Sequence, residues 1–228
     1  MAALAAEHGL GREAAFALYV LLEALAGEES PPTSVSGPAE AMDVHLADSL
    51  SALEIEPLAS ASSIADVGAG AGFPGLALAA ALPDAAVDLI EATARKCDVI
   101  RRLGQAADLT NFRAVAARAE EWATGDGAAA YDVVTARAVA PLGVLAEYAA
   151  PLLRASGVLV AWKGRRDDDE ERIAANAAAI VGLEVVEVRR VTPFADARDR
   201  HLHVFTKVAP TPDRFPRRAG MARKRPLT

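Results

Sequence analysis

Apolar and polar positions along this chain follow two periods, one typical of strands and one typical of helices. Short apolar runs bounded by turn residues predict five buried strands, at 62–67, 86–91, 112–116, 131–136 and 157–162. Helical spacing of apolar residues predicts helices between and after these strands, near 74–82, 94–107, 141–154 and 168–180. Strands that alternate with helices in this way form a doubly wound, mostly parallel α/β sheet.

Both ends of the chain depart from this alternation. Residues 182–191 and 200–208 are two strands without a helix between them, so we expect an antiparallel pair at the end of the sheet. A parallel sheet that ends in such a pair is the layout of class I, Rossmann-like methyltransferases. At the other end, two helices are predicted on either side of a Pro/Ser/Gly-rich connection at 28–38, and the second covers 39–54.

The first 30 residues are apolar on one side only. Leucines and an alanine recur at helical spacing, at Leu10, Ala14, Leu18, Leu21, Leu22 and Leu25, and Gly27 is placed to end the helix. Charged or polar residues interrupt every apolar run, at Glu7, His8, Arg12, Glu13 and Glu23. We therefore expect an amphipathic helix, and neither a membrane span nor a targeting segment.

Composition limits the kind of protein and its compartment. The chain has 228 residues, of which 52% are hydrophobic, enough to fill the core of one substantial α/β domain. We divide it into an N-terminal helical extension at 1–58, a main domain at 59–209 and a basic tail at 210–228. Its single cysteine, Cys97, allows no internal disulfide and no thiolate metal cluster, which suits the reducing cytosol.

The segment ADVGAGAGFPG at 65–75 predicts a ligand site at the end of the first strand. Gly68, Gly70 and Gly72 occupy every second position, and glycine is used where the chain takes positive φ or a ligand approaches the backbone. Glu91 ends the second strand, where its two carboxylate oxygens can accept both hydroxyl groups of a ribose. After the third strand, Ala119 and Glu120 are placed to cover an adenine.

Two kinds of ligand fit this loop. The G-x-G-x-x-G spacing of dinucleotide-binding proteins is satisfied by Gly70 and the glycines after it, which leaves NAD open. Three details favour S-adenosylmethionine: Asp66 two residues before the first glycine, Gly68 at the strand end, and Pro74 at the helix start. Proline removes one of the helix-start amides that hold a pyrophosphate, and S-adenosylmethionine carries no phosphate.

Several separated segments resemble the RsmG (GidB) family of 16S ribosomal RNA guanine-N7 methyltransferases. In chain order they are HLADSL at 45–50, DVGAGAGFPGLALA at 66–79, TARAVAPL at 135–142, WKG at 162–164, DRHLHVFTK at 199–207 and FPRRAGMARKRPL at 215–227. Their order makes the resemblance specific. It implies a class I fold, S-adenosylmethionine as the cofactor and methylation of a guanine at N7 in small-subunit ribosomal RNA.

The resemblance also assigns residues to the cofactor. The family's contacts fall at the ends of the predicted strands: Gly68, Phe73, Glu91, Ala92, Thr93, Ala119, Glu120 and Arg137. Asp66, Gly70 and Gly72 complete the predicted cofactor site as supporting residues. His45, Asp48 and Ser49 share one predicted helix, where they either form a packing cluster or line the methyl-transfer pocket. Arg137 and Lys163 end two strands at one sheet edge, where they either bind the cofactor carboxylate or an RNA phosphate, or are ordinary surface cations.

Guanine N7 presents a lone pair and no proton, so methyl transfer to it needs no general base. We therefore do not assign His45 as a base, and the enzyme contributes by positioning the two reactants. Because the major groove of an RNA helix is deep and narrow, the expected substrate is an accessible loop or a splayed-out base. His201 and His203 have no third ligand at hand and are expected on a sheet face, so no metal site is expected.

The tail is basic although the chain carries a net charge of −7, which argues mildly against nucleic-acid binding over the whole surface. The expected RNA contacts are one arginine of the last strand and the cations of the tail: Arg200, Arg214, Arg217, Arg218, Arg223, Lys224 and Arg225. We expect an arm that becomes fully ordered only on RNA phosphates. The alternatives are a solvated end, or a tail that packs against the domain and supports the cofactor loops.

The sequence thus predicts a cytoplasmic, monomeric methyltransferase without membrane contact, whose partner is 16S ribosomal RNA or the assembling small subunit. Two alternatives remain open. A class I methyltransferase with a small-molecule substrate would fit the acidic net charge but not the basic tail. An NAD-dependent oxidoreductase or a non-catalytic nucleotide-binding module would fit the glycine spacing.

Overall fold

The N-terminal region contains two helices where the sequence predicts one. The computed structural model describes residues 1–35 and 37–228, so Ser36 in the predicted connection lies outside it. Helix α1 (Ala2–Glu7) and helix α2 (Arg12–Ala26) are separated at Gly9, which takes a φ of 67°. The prediction of helical structure at Leu10 is therefore wrong, because the chain turns there. Gly27 is the C-cap residue of α2, as predicted.

The predicted helix at 39–54 is a helical path whose hydrogen-bond spacing changes along its length. Helix α3 (Pro38–Ala41) continues into a π-helical turn (Met42–Ala47), helix α4 (Asp48–Leu50) and a 3₁₀ turn (Ser51–Glu54). The hydroxyl groups of Ser49 and Ser51 donate to carbonyl oxygens three or four residues earlier, which favours such departures from regular α-helix. Helix α5 (Glu56–Ala59) then leads into the sheet.

The sheet has seven strands, and its topology confirms the predicted class I architecture. In chain order the strands are β1 (Ser63–Val67), β2 (Ala86–Ile90), β3 (Phe112–Val115), β4 (Tyr131–Arg137), β5 (Leu153–Lys163), β6 (Leu183–Val191) and β7 (Arg200–Lys207). Their spatial order is β3-β2-β1-β4-β5-β7-β6. The first five pair in parallel, and β7 lies antiparallel between β5 and β6. The carboxyl ends of β1 to β5 therefore meet at one edge.

In the described part of the chain, six further helices follow the strands. They are α6 (Gly75–Ala81), α7 (Ala94–Ala106), α8 (Ala119–Trp122), α9 (Leu142–Ala149), α10 (Asp168–Val181) and α11 (Met221–Lys224). The predicted helix at 141–154 is too long, because α9 ends at Ala149 and β5 starts at Leu153. Pro151 explains the early end, since proline has no amide hydrogen for the helix ladder.

Two hydrophobic clusters fill the two faces of the sheet. One contains Leu18 and Leu21 of α2 together with Leu76 of α6, so the N-terminal helices share a core with the sheet. The other contains α9 and α10 and includes two residues of the C-terminal tail, Phe215 and Ala222. Within the described ranges, each helix is too short or too polar to span a bilayer.

Candidate functional site

The loop between β1 and α6 presents bare backbone at the carboxyl edge of the sheet. Gly68 and Gly70 take φ values of 72° and 57°, a region that L side chains rarely occupy. A Cβ atom on Gly68 would lie 2.6 Å from a methyl carbon of Val139, whereas on Gly70 the nearest heavy atom would be 3.8 Å away. Space beside Gly70 is therefore open, and a ligand can approach its backbone.

Asp66 is buried beneath this loop and closes the start of α6. Its Oδ2 accepts a hydrogen bond of 2.9 Å from the amide of Gly75, and its Oδ1 accepts one of 3.0 Å from the hydroxyl of Thr135. Burial raises the pKa of Asp66 to about 6, although both hydrogen bonds and the charge of Arg137 oppose this shift. Since a carboxylate already occupies the helix start, a pyrophosphate finds neither a free amide at Gly75 nor a favourable charge there.

Glu91 is held at the end of β2 by backbone amides. Its Oε2 accepts from the amide of Gly70 at 3.1 Å and its Oε1 from the amide of Thr93 at 2.9 Å, while Nζ of Lys96 lies 4.0 Å away. Each carboxylate oxygen keeps a second lone pair, so this side chain can still accept hydroxyl hydrogens. The loop and Glu91 together form a cradle in which the carboxylate is fixed by the amides of Gly70 and Thr93.

The larger of the two cavities that border Gly68 measures about 580 Å³. Eight predicted site residues line it, namely His45, Asp48, Gly68, Gly70, Phe73, Arg137, Lys163 and Arg200. The ring of His45 stacks on that of Phe73 with 4.9 Å between centroids, and its Nε2 lies 3.1 Å from the hydroxyl of Thr33. Burial, assisted by the charge of Arg137, lowers the pKa of His45 to about 4, so the ring is neutral at physiological pH.

Arg137 forms hydrogen bonds and an ion pair with other residues of the protein. Its Nη1 donates to the carbonyl oxygen of Val44 at 2.6 Å and to Oδ2 of Asp48 at 2.9 Å. Trp162 Nε1 donates to the main-chain oxygen of Asp48 at 2.8 Å, and Nε of Arg200 lies 3.7 Å from Oδ1 of the same residue. Asp48 thus sits between two arginines, and it connects the helical path at 38–54 to β4, β5 and β7.

Two predicted substrate residues take other partners. Nζ of Lys163 donates to Oε1 of Glu170 at 2.7 Å, although its side chain still borders the large cavity. Ser49 is fully buried and donates to the carbonyl oxygen of His45 at 2.6 Å, which fits the packing role considered for it. The cavity therefore brings together His45 and Asp48, while Ser49 supports the turn behind them.

A smaller cavity of about 310 Å³ continues from Gly68 past Glu91. Four of the residues predicted to bind the cofactor border it: Glu91, Ala92, Ala119 and Glu120. Three predicted cofactor residues line neither cavity: Asp66 beneath the loop, Gly72 within it and Thr93 at the start of α7. Ser49, a predicted substrate residue, also lines neither cavity.

The basic tail is folded against the domain, which differs from the expected arm that orders only on RNA. Arg217 forms a bidentate ion pair with the buried carboxylate of Glu147, and the amide of Gly220 donates to Oε1 of Glu120 at 2.7 Å. Nη2 of Arg223 donates to the carbonyl oxygen of Val139 at 2.6 Å. The remaining tail cations are exposed: Arg214, Arg218, Lys224 and Arg225.

Sequence reasoning missed several residues of the two cavities. Thr33 contacts His45 from the polar connection before α3. The path of this connection over the sheet edge could not be predicted, because it has no periodic pattern. Val139 and Tyr148 border the smaller cavity from the region of α9, where apolar spacing marks them only as core. Trp162 also borders the larger cavity, and it lies within the WKG segment that resembles the family, so the resemblance already indicated this position.

Comparison with known proteins identifies relatives over most of the chain. The model of the family "GidB: rRNA small subunit methyltransferase G" matches residues 12–203. A ribosomal RNA small subunit methyltransferase G from Rubrobacter xylanophilus is 43% identical over 187 residues, covering 80% of this chain and 72% of the relative. The protein of that name from Chloroflexus aggregans is 44% identical over 186 residues, covering 80% and 76%.

Solved structures show the same fold at low sequence identity. Cofactor-bound Rv0187 from MTB superimposes with a TM-score of 0.57 and 20% identity, over 85% of this chain and 90% of that chain. The Methanococcus jannaschii fibrillarin pre-rRNA processing protein gives a TM-score of 0.56 and 18% identity, over 72% and 74%. These neighbours support the class I methyltransferase architecture.

Proposed function

Because the chain belongs to the family of small-subunit ribosomal RNA methyltransferases G, we propose that it methylates N7 of one guanine in 16S ribosomal RNA. It is an S-adenosylmethionine-dependent methyltransferase. The observation that carries the proposal is the continuity of two cavities at one sheet edge, joined at Gly68. One contains a cradle for a ribose, and the other has room for a base beside it.

The cofactor residues fit a sulfonium nucleoside better than a dinucleotide. Glu91 is fixed by the amides of Gly70 and Thr93 and offers free lone pairs to ribose hydroxyls. Asp66 occupies the amide of Gly75 and places negative charge near the loop, which disfavours a pyrophosphate and favours a cation. The open space at Gly70 leaves room for close approach of the ligand to the backbone.

The protein's chemical task is positioning. When bound, S-adenosylmethionine supplies a methyl group on its sulfonium: the N7 lone pair forms the new C–N bond, and the C–S electron pair stays on sulfur. His45 is neutral and needs to remove no proton, because N7 carries none. His45, Phe73 and Trp162 give the larger cavity aromatic walls against which a purine can stack.

Cations beside the edge supply the RNA surface in this proposal. Arg200 and Lys163 border the larger cavity, and four tail cations remain free to contact phosphates: Arg214, Arg218, Lys224 and Arg225. Each phosphate contact contributes about 0.7–0.9 to the slope of log affinity against log salt. A variant with these four residues changed to alanine therefore loses about 3 from that slope while it keeps its affinity for S-adenosylhomocysteine.

The substrate form, oligomeric state and compartment are also proposals. We propose that 16S ribosomal RNA or the assembling small subunit is the partner, and that the enzyme acts as a monomer in the cytoplasm. A single buried thiol, Cys97, is compatible with a reducing compartment.

The deciding experiment is methyl transfer from labelled S-adenosylmethionine to 16S RNA and to small subunits from cells that lack this enzyme. N7-methylguanine is located by strand cleavage after borohydride and aniline treatment. One cleaved guanine supports the proposal, and a methyl group on another atom or another RNA refutes it. Particles from cells that retain the enzyme should accept no label. Failure to bind S-adenosylmethionine, with binding of NAD, would instead favour the dinucleotide alternative.

A further inference from the structure

One tail residue, Arg223, borders a cavity at the carboxyl edge of the sheet. Arg223 borders the 310 Å³ cavity together with Glu91, Glu120 and Tyr148, and it also borders a cavity of about 780 Å³ lined by residues of α9, α10 and 226–228. An adenosine-sized group occupies such a volume, and Glu91 marks where its ribose would lie. The adenine would then extend toward α8 and reach the wall to which Arg223 contributes.

The tail is anchored to the domain next to the part of the cavity surface that Arg223 forms. Arg217 pairs with Glu147, whose side chain is 2% exposed, and Ala222 is buried in the core cluster that also contains Ala119 and Tyr148. The amide of Gly220, a residue with a φ of 80°, donates to Oε1 of Glu120. The tail therefore fixes the carboxylate of a residue that borders the cavity.

The guanidinium of Arg223 borders the cavity, where it contacts a main-chain oxygen and the hydroxyl group of Tyr148. Its Nη2 donates to the carbonyl oxygen of Val139, and the methyl groups of Val139 fill the space above Gly68. The rest of this planar, exposed group stays available, and a guanidinium face packs favourably on an aromatic ring.

We propose that the C-terminal tail is part of the cofactor site, and that Arg223 packs against the adenine of S-adenosylmethionine. The inference rests on the cofactor placement given under Proposed function. It removes Arg223 and Arg217 from the set of expected RNA contacts, since Arg217 anchors the tail and Arg223 faces the adenosine half of the cavity. Lys224 and Arg225, directly after Arg223, remain on the outer surface.

Calorimetric binding to the full-length protein tests this assignment with two ligands, S-adenosylhomocysteine and 5′-methylthioadenosine. The second ligand lacks the amino-acid part, so a contact to adenine affects both ligands equally. Arg223→Ala is expected to weaken both by about 5- to 30-fold, the range of a partly to fully desolvated cation–π contact. Lys224→Ala, on the same helix, should bind both ligands like the wild-type protein.

Thermal unfolding distinguishes a ligand contact from a merely structural role. Arg223→Ala should melt within about 2 °C of the wild-type protein, as is usual for an exposed side chain. Arg223→Lys keeps the charge without the planar face and should recover less than half of the lost affinity. Unchanged affinity, a loss confined to S-adenosylhomocysteine, or a loss accompanied by a lower melting temperature in both variants overturns the assignment. Absence of binding by the wild-type protein would instead refute the cofactor placement itself.

Discussion

Nη1 of Arg137 lies 2.9 Å from Oδ2 of Asp48, and this ion pair joins the end of β4 to a helix 89 residues earlier in the chain. Only 13% of the arginine side chain and 8% of the aspartate side chain are exposed. Asp48 also accepts the indole N–H of Trp162 at its main-chain oxygen. The pair therefore fastens the N-terminal helical path over the carboxyl edge of the sheet, where the larger cavity opens.

Removal of this carboxylate should destabilise the fold strongly. Asp48→Ala leaves Arg137 as a mostly buried charge without a counterion, and such changes cost about 3–5 kcal/mol. Urea denaturation measures the loss. Asp98→Ala is the matched control, because Asp98 pairs with Arg101 on the exposed face of α7, and exposed pairs contribute about 0–1 kcal/mol. Equal effects of the two substitutions would contradict a fastening role for Asp48.

Gly70→Ala should reduce cofactor affinity in addition to a moderate cost in folding stability. A Cβ atom at this position enters open space beside Glu91, so the predicted loss is at least about tenfold in Kd, or about 1.4 kcal/mol. The positive φ adds a cost of about 1–2 kcal/mol to folding. Gly9→Ala shares that cost, since Gly9 has a φ of 67° and open surroundings far from the cavity. Similar S-adenosylhomocysteine affinities for both variants would rule out close approach at Gly70.

His45 should make the protein less stable as the pH falls. Its pKa is about 4 in the folded protein and 6.5 when unfolded, so between these values the unfolded chain binds a proton that the folded chain does not. Stability is therefore complete above about pH 6.5 and is lost progressively toward about pH 4. Neutral groups, Thr33 and Phe73, face the ring together with the cation Arg137.

The measurement compares wild-type protein with His45→Gln by urea denaturation at pH 7 and pH 5. The wild-type protein should lose more stability on acidification than the variant. Asp66 acts in the opposite direction, because burial raises its folded pKa from 3.8 to about 6 and its ionised form is the less stable one. Both proteins contain Asp66, so its contribution cancels in the comparison. Identical pH dependence in both would exclude a buried neutral His45.

Arg217→Ala should release the tail and lower stability by about 3 kcal/mol, because it leaves the carboxylate of Glu147 buried without its partner. Limited proteolysis should then cut within 210–228 faster than in the wild-type protein. Arg218→Ala is the matched control, since its side chain is exposed and its substitution should cost at most about 0.5 kcal/mol. Equal cleavage rates would indicate that the ion pair does not hold the tail.

The sequence by itself determined the parts of this protein that depend on local pattern. Apolar runs and helical spacing predicted the seven strands in order, since a strand or helix must bury one face wherever it packs. Alternating glycines after Asp66 predicted the loop, because only glycine takes positive φ there without strain. Glu91 at the end of β2 was expected at the same edge as the loop, because the carboxyl ends of parallel strands share an edge.

Only the tertiary structure decided which side chains meet across that edge. Arg137 was expected on the cofactor or on RNA, but Asp48, 89 residues away in the chain, lies within hydrogen-bond distance of it. Arg223 was expected among the phosphate contacts because charge is visible in sequence, yet Ala222 is buried beside it, the amide of Gly220 donates to Glu120, and Arg223 borders the 310 Å³ cavity. Partners so far apart leave no periodic trace, since their pairing depends on how helices and tail pack on the sheet.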